Sequence, residues 1–306
     1  MQDPFPIPSC FFPSEQLSYD PSSSSSAKSG QTIITTVYRT KIAGQCRLIT
    51  ITWCKDLLAH GFSVAVEGST SNSPTDSNAN TCKVELRPWH FWRKHGSKRF
   101  VVDDKPIGVF WDLRSAKFSR EPEPQSGFFV AVASEEEVVL LLGDLKKEAY
   151  KRTGLRPASI DAIMVLRKEH IFGKKKFATT KAKFHEKDTS HDISIECSSI
   201  GDHNTDPEMV IKIDGHSFIS VKHLQWKFRG NQTITIGKER VDVYWDVYDW
   251  LFSPGLRHAL FIFKPLPPIG SSSSTSTSLL SLIEASDANV GGSSGFGLFL
   301  YAWKLE

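Results

Sequence analysis

The chain of 306 residues lacks the motifs that usually assign a chemical function from sequence. It has no run of about 18 apolar residues, so we expect no transmembrane helix. The five cysteines form no C-x-x-C pair, the ten histidines form no H-x-x-H or H-E-x-x-H, and no G-x-x-x-x-G-K occurs. The sequence therefore identifies no metal site, no phosphate-cradling loop and no catalytic residue, and it predicts no cofactor.

Excess charge is also scarce, because the formal net charge is only +3. This charge is too small to imply nucleic-acid binding by itself. The first residues, MQDPFPIPSCFFPSEQ, contain two acids and four prolines but no basic residue, unlike a secretory or transit peptide. We expect a protein of the cytosol with access to the nucleus, which is not secreted and whose cysteines are buried, reduced thiols.

Large apolar side chains are plentiful, with eight Trp and 20 Phe. The dominant period is two: Ile49, Ile51 and Trp53 alternate with threonines, and the stretch Ile193–Cys197 alternates in the same way. This alternation is typical of strands with one buried face. The predicted fold class is all-β, with two antiparallel halves of about eight strands each, forming sandwiches or barrels, and one short connecting helix.

An internal repeat indicates the two halves. Trp92 and Trp111 are 19 residues apart, and so are Trp226 and Trp245. Aligned without a gap, the two segments share Gly96/Gly230, Val109/Val243, Asp112/Asp246 and Phe118/Phe252. An internal duplication explains these matches, and we expect the four tryptophans to be matched core anchors.

The repeat also sets the expected domain organisation. Residues 1–31 are rich in Pro and Ser and are predicted to be disordered. Residues 32–143 form the first β repeat, and residues 144–177 form a connector with the short helix. Residues 178–306 form the second repeat, in which a Ser/Thr-rich insertion at about 265–294 is predicted to be disordered within a hairpin.

The connector contains the clearest helix signal of the chain. Asp144 is placed to cap the segment Leu145–Arg152, and Gly154 is placed to end it. The stretch Ile160–His170 fits a helix or a strand equally well. Elsewhere, Asp214-Gly215 between two apolar runs predicts a tight hairpin turn.

Several sequence blocks point to a known family. These blocks are Val37–Lys41, Val109–Leu113, Leu141–Asp144, Lys168–Gly173, Leu224–Thr233 and Leu300–Lys304. Together they resemble the land-plant family catalogued as domain of unknown function 868, over about residues 33–306. The resemblance implies a plant protein, and it carries no substrate, cofactor or catalytic residue.

The repeated Trp-Asp motif admits two interpretations. On a strand, the Trp of each copy faces the core, while Asp112 and Asp246 end the strand and accept backbone N–H groups of the following turn. The functional alternative is a metal or acid/base site built from Asp242, Asp246 and Asp249, which only the second half contains.

Basic residues beside aromatic ones form the second candidate site, for an anionic headgroup or a nucleic-acid backbone. The glycine in each copy, Gly96 or Gly230, is predicted to lie at a hairpin tip that needs a positive φ. The alternative is a solvated hairpin whose lysines discourage edge pairing. The candidate anion-binding residues are Arg93, Lys94, Lys98, Arg99, Lys174, Lys175, Lys176, Lys227 and Arg229.

Three functions remain open at this point. The first is a non-enzymatic binding or scaffold module, for a protein partner or, if the halves are barrels, for a small apolar ligand in the lumen. The second is peripheral binding to an anionic membrane or to nucleic acid through the basic residues. The third is a hydrolase-type enzyme that uses the aspartate cluster. We expect function where the halves differ, as in the loop at 68–82.

Overall fold

The computed structural model describes residues 32–55, 60–68, 81–86, 94–119, 121–173, 176–182, 184, 190–198, 206–253, 257–266 and 296–304. The two segments predicted to be disordered lie outside these ranges, apart from the first residues of the insertion. Within the described ranges the chain forms 18 strands and two short helices, which confirms the all-β prediction. The sheets are open and do not close into barrels.

The chain divides into two compact units, which we describe separately. Unit 1 contains the residues up to Ile33 together with Arg39–Ala162. Unit 2 contains Ile34–Tyr38 and Ile163–Glu306.

Unit 1 contains two sheets. Its strands are the two ends of β1 (Thr32–Ile42), whose residues 34–38 belong to unit 2, and β2 (Gln45–Lys55), β3 (His60–Val66), β4 (Thr81–Leu86), β5 (His95–Val102), β6 (Lys105–Asp112), β7 (Phe129–Ser134), β8 (Glu137–Gly143) and β9 (Arg156–Pro157). Strands β1 to β4 lie side by side in chain order in one sheet, and β5 to β9 do so in the other. The pairs from β2 to β4 and from β5 to β8 are antiparallel, whereas β8 and β9 are parallel.

The two sheets of unit 1 enclose an aromatic core. Trp53 and Phe62 belong to the first sheet, and their ring centroids are 5.1 Å apart. Phe62 meets Trp111 of the second sheet edge-on at 6.0 Å. A buried hydrogen bond of 3.2 Å from Thr40 Oγ1 to the carbonyl of Val139 also joins the sheets. These contacts make unit 1 a sandwich.

Helix α1 (Lys146–Thr153) packs on the second sheet of unit 1 through Ala149, which is fully buried. Gly154 ends the helix in the left-handed conformation, with φ 68°, and its N–H donates to the carbonyl of Tyr150. The predicted helix and its stop are therefore confirmed.

The predicted cap of α1 is wrong. Asp144 makes no capping hydrogen bond, and Leu145 occupies the N-cap position instead. The Asp144 carboxylate accepts the backbone N–H groups of Gly127 at 2.7 Å and Phe128 at 3.1 Å. These hydrogen bonds lower the pKa of Asp144. Because its carboxylate binds the backbone of the loop that leads into β7, it does not cap α1.

Unit 2 also contains two sheets. Its strands are β10 (Ile163–Gly173), β11 (Lys176–Ala182), β12 (His191–Ser198), β13 (Glu208–Ile213), β14 (His216–Val221), β15 (Arg229–Ile236), β16 (Glu239–Asp246), β17 (His258–Pro265) and β18 (Gly297–Lys304). Strands β11 to β14 form one antiparallel sheet in chain order. Strands β15 to β18 are antiparallel in chain order in another, with β10 parallel to β18.

Three local features of unit 2 bear on the sequence predictions. The stretch that fitted helix or strand lies mostly in strand β10. The Asp214-Gly215 turn is confirmed, with φ values of 50° and 81° between β13 and β14. A second helix, α2 (Tyr248–Phe252), follows β16 and was not predicted.

One buried hydrophobic cluster joins the two sheets of unit 2. Ile195 and Ile211 of one sheet belong to it, and so does Phe261 of the other.

The paired glycines are not at hairpin tips, so that prediction is wrong. Gly96 and Gly230 lie inside β5 and β15, and neither has a positive φ. Each stands directly opposite a tryptophan of the next strand, Trp111 or Trp245. A Cβ on Gly96 would come within 2.6 Å of Trp111 Cζ2, and one on Gly230 would overlap the Trp245 ring. The glycines are required because each indole lies over its neighbouring strand.

We expect Gly96→Ala to lower the free energy of unfolding by about 1–3 kcal/mol, because the buried Trp111 ring has little room to move. Urea denaturation measures the loss. In a Trp111→Leu background the same substitution should cost much less, since the clash is gone. Ser97→Ala, at the exposed next position, should be nearly neutral, and an equal loss there would contradict this account.

Of the four cysteines in the described ranges, three follow the prediction, and Cys10 lies outside those ranges. Cys54, Cys82 and Cys197 are buried and form no disulfide, whereas Cys46 is exposed. Burial raises the pKa of Cys82 to about 11 and that of Cys197 to about 12, so both remain protonated thiols at neutral pH. Cys46 departs from the prediction because its strand, β2, begins in solvent next to the Ala43-Gly44 turn.

A buried ion pair lies on β10. The Arg167 Nε and Glu169 Oε1 atoms are 2.5 Å apart, and only 6% and 4% of the two side chains are exposed. Both residues share a strand face with Ile171, which belongs to the core of unit 2. A charge in this position is costly unless it is paired.

We expect Glu169→Ala to destabilise the protein by roughly 3–5 kcal/mol, because it removes the carboxylate that lies 2.5 Å from the buried Arg167 guanidinium. Thermal unfolding checks this. The matched control is Glu137→Ala, which removes the partner of the exposed Arg156 and should cost about 1 kcal/mol or less. Replacing both members, as Arg167→Met with Glu169→Leu, should recover most of the loss. Equal effects of the two single variants would refute the argument.

Candidate functional site

The aspartates of the Trp-Asp motif act as predicted. Asp112 Oδ1 accepts the backbone N–H of Arg114 at 3.0 Å, and Asp246 Oδ1 accepts that of Tyr248 at 3.1 Å. Burial would raise the pKa of Asp112, but hydrogen bonds from the side chain and backbone of Arg114 outweigh it and leave the pKa below its usual range. Both carboxylates therefore fix the turn that follows their strand.

The aspartate cluster proposed as an enzyme site is not assembled. Asp242 accepts a hydrogen bond from Thr233 Oγ1 on the neighbouring strand, and Asp249 on α2 accepts one from the Oγ of Ser253, which directly follows the helix. Asp242 and Asp246 are four residues apart on β16, which separates their Cα atoms by about 13 Å. Among the described residues, no three His, Cys, Asp or Glu side chains are grouped to hold a metal ion.

The candidate basic residues of unit 1 that the structure describes do not share one strand face. Lys98 and Arg99 are exposed on the edge strand β5, but consecutive residues of a strand point to opposite faces. Lys94 is half-buried, and its carbonyl accepts the N–H of Leu113 at 2.6 Å. Arg93 lies outside the described residues.

The lysine run of unit 2 is partly neutralised where it is described. Lys176 Nζ lies 2.9 Å from Glu196 Oε1, and Lys212 Nζ lies 2.6 Å from the other oxygen of the same carboxylate. Hydrogen bonds from Lys212 and Lys176 lower the pKa of Glu196. Lys174 and Lys175 lie outside the described residues.

Arg229 lies against an exposed aromatic group instead of facing solvent alone. The rings of Phe228, Tyr248 and Phe252 contact one another, with centroids 5.2 to 5.8 Å apart; we call them the aromatic cluster. The guanidinium carbon of Arg229 stands 5.4 Å from the Tyr248 ring and 5.7 Å from the Phe228 ring. Its Nε donates to Asp246 Oδ2 at 2.7 Å.

Sequence reasoning missed two members of this cluster. Tyr248 and Phe252 are four residues apart on α2 and so share one helix face, while Trp250 points into the core. Phe252 is 51% exposed, which is unusual for a phenylalanine in a folded unit. The i, i+4 spacing around a buried tryptophan was the available signal.

Trp226 is the most unusual residue of the described surface, and its predicted role as a core anchor is wrong. It is 80% exposed. It lies in the connection between β14 and β15, residues 222–228, which we call the Trp226 loop. The N–H groups of Trp226 and Lys227 donate to the carbonyl of His223 at 2.9 and 3.1 Å, and His223 adopts a positive φ of 56°.

Side chains also hold the Trp226 loop. His223 Nδ1 lies 2.7 Å from one oxygen of Asp206, and Gln225 Nε2 donates to the other oxygen at 2.7 Å. Leu224 is fully buried, and its N–H donates to the carbonyl of Pro207 at 2.9 Å. The loop therefore has a defined conformation that leaves its tryptophan in solvent.

The end of the loop is tied to β16. The indole N–H of Trp245 donates to the carbonyl of Lys227 at 3.0 Å, and the backbone N–H of Val247 donates to that of Phe228 at 2.9 Å. Asp206 thus holds the start of the Trp226 loop, and Trp245 and Val247 hold its end.

Two exposed lysines flank the tryptophan. Neither the Lys222 nor the Lys227 side chain makes an ion pair with another residue of the described chain. The indole of Trp226 likewise has no ring contact or side-chain hydrogen bond within the described ranges. The site therefore offers an open indole and two open ammonium groups.

The fold and this surface define an all-β protein of two open-sheet sandwich units with an exposed aromatic and basic patch. Residues 29–304 match the family described as plant protein of unknown function (DUF868), and the chain belongs to this family. No match was found among curated proteins or among solved structures. None of the helices in the described ranges has the length and apolar character needed to cross a membrane.

We expect Asp206→Ala to loosen the Trp226 loop, because it removes both side-chain bonds that hold the loop at its start. Amide hydrogen exchange at Trp226 and Lys227 should accelerate roughly fivefold, as expected for exposed hydrogen bonds worth about 1 kcal/mol together. Asp249→Ala, which removes a carboxylate from α2, should leave that exchange unchanged. Unchanged exchange in Asp206→Ala would mean that the backbone alone holds the loop.

Proposed function

We propose that the protein is a non-enzymatic binding module that recognises its partner through the Trp226 loop and the adjacent aromatic cluster. The observation that carries this proposal is the 80% exposure of Trp226 on a loop held by hydrogen bonds. Tryptophan and tyrosine are enriched at interfaces because an apolar ring and a polar tip both find partners there.

Energetics support recognition by this loop. An aromatic side chain buries about 150–250 Å² when it is covered, so covering Trp226 is worth on the order of 3 kcal/mol. Because the loop is already ordered, binding would lose little conformational entropy there. The arginine that stacks on the aromatic cluster adds a residue type that is common at binding hot spots.

A small apolar ligand in a lumen receives no support, because the sheets are open. The larger of two clefts described in unit 1 has a volume of about 530 Å³. Charged pairs line it, including Lys105 with Glu135 and Arg156 with Glu137. Such a lining suits water or a polar group better than an apolar ligand.

We also propose that the two units descend from one duplicated sandwich. In each unit a four-strand antiparallel series carries a further parallel strand beside its last member. In each unit a glycine lies opposite a tryptophan of the next strand. The aspartate after that tryptophan accepts a backbone N–H of the following turn. The buried cysteines of the described ranges form no disulfide, which suits the reducing cytosol or nucleus that we expect as the protein's location.

The test is to purify the protein from its plant source and to analyse it by native mass spectrometry, comparing the wild type with Trp226→Ser. The wild type should retain a bound companion that Trp226→Ser loses at least tenfold. Val101→Ser is the matched control, since Val101 is also an exposed apolar residue, 58% accessible, but lies in unit 1. Equal retention by all three proteins would overturn the proposal, and so would the absence of a companion if Trp226→Ser also left membrane binding unchanged.

A further inference from the structure

We infer that the partner of this surface is the headgroup region of an anionic lipid bilayer, with Trp226 inserted among the headgroups and Lys222 and Lys227 on their phosphates. This inference rests on the proposed function, and it names the occupant of the same surface.

The tryptophan suits a bilayer interface. At 80% exposure both faces of its ring are open, so it projects from the surface and does not line a groove. Its indole N–H has no side-chain partner within the described residues. Tryptophan is enriched at membrane interfaces because an apolar ring and a polar N–H fit the boundary between acyl chains and headgroups.

The two lysines supply the charge complementarity. Both are exposed on the same short loop as Trp226, and both lack an ion pair among the described residues. A basic residue near an anionic leaflet contributes about 1 kcal/mol, which is roughly a fivefold gain in partitioning. Two such residues therefore give about 30-fold.

Neighbouring acids offset part of this charge. Asp246 forms an ion pair with Arg229. Asp206 binds Gln225 and His223, and Asp249 on α2 binds the Ser253 hydroxyl, and hydrogen bonds to neutral donors leave the charge of a carboxylate in place. Lys222 and Lys227, which form no ion pair among the described residues, are the charges available to headgroup phosphates.

Other classes of partner fit less well. The centres of protein–protein interfaces are depleted of lysine, yet lysines flank Trp226 on both sides. Proteins that stack bases of single-stranded nucleic acid place aromatic rings along a positively charged groove. A projecting tryptophan between two lysines needs no groove when the partner is a fluid surface.

The experiment is co-sedimentation of the full chain with vesicles of phosphatidylcholine alone or with 30% phosphatidylserine, at 0.1 M NaCl. The wild type should bind the anionic vesicles and bind the neutral ones weakly. Replacing Lys222 and Lys227 with Ser should lower partitioning about 30-fold, and Trp226→Ser should lower it roughly tenfold. Trp226→Phe should retain most of the binding.

A matched control removes the same charge elsewhere. Lys98→Ser with Arg99→Ser takes two exposed cations from unit 1 and should leave vesicle binding within about twofold. Raising the salt to 1 M should abolish the lysine contribution and spare that of Trp226. Urea denaturation of each variant shows that it folds. Brominated lipid should quench the fluorescence of the wild type more than that of Trp226→Phe.

The outcomes separate the two proposals. Failure to bind anionic vesicles, or an equal loss in the Lys98 and Arg99 control, would overturn the bilayer inference. If the companion that Trp226 retains were then a protein or a nucleic acid, the binding-module proposal would survive with another partner. If nothing depended on Trp226 in either experiment, both proposals would be wrong.

Discussion

A tryptophan ring laid over a glycine of the neighbouring strand sets the register on which much of each unit depends. A side chain at Gly96 would collide with Trp111, and one at Gly230 would collide with Trp245, so these strand pairs are free of overlap only in the observed alignment. A slip by one residue would turn every inward side chain outward. With the register fixed, the valine two residues before each tryptophan stays in the core. The aspartate after it reaches the strand end, where it can hold the next turn.

In unit 2 the same strand pair also supports the exposed surface. Trp245 is only half-buried, and its indole N–H holds the carbonyl of Lys227. This bond fixes the end of the Trp226 loop directly before Phe228. Asp246 then orients α2 through the N–H of Tyr248, which brings two α2 side chains against Phe228. The register of β15 and β16 thus determines where the aromatic cluster and the Trp226 loop lie.

Sequence patterns predicted the parts of the structure that local chemistry decides. Alternation of apolar residues located the strands, and Gly154 and Asp214-Gly215 marked a helix end and a turn. These sequence patterns failed where the conformation depends on a residue that is distant in the sequence. Gly96 looks like a turn residue until the strand opposite is known, and Asp144 looks like a cap until the loop at Gly127 is placed beside it. The parallel placement of β9 and β10 has no local signature, because it depends on which strand edge remains open.

The exposure of Trp226 also depends on contacts that the local sequence does not reveal. The repeat that matches Trp226 to Trp92 predicts that Trp226 is a core anchor, yet the loop that carries Trp226 leaves it exposed. Hydrogen bonds to the carboxylate of Asp206 and to the carbonyl of His223 hold this loop, while the three rings of the aromatic cluster contact one another. The apolar surface of the aromatic cluster therefore begins at Phe228, two residues after Trp226. The hydrogen bonds of the Trp226 loop nevertheless keep the indole in solvent. Exposure of Trp226 follows from the geometry of its hydrogen bonds and not from a shortage of apolar neighbours. A group held open in this way is ordered before any partner arrives, which is the condition under which a single side chain contributes most to binding.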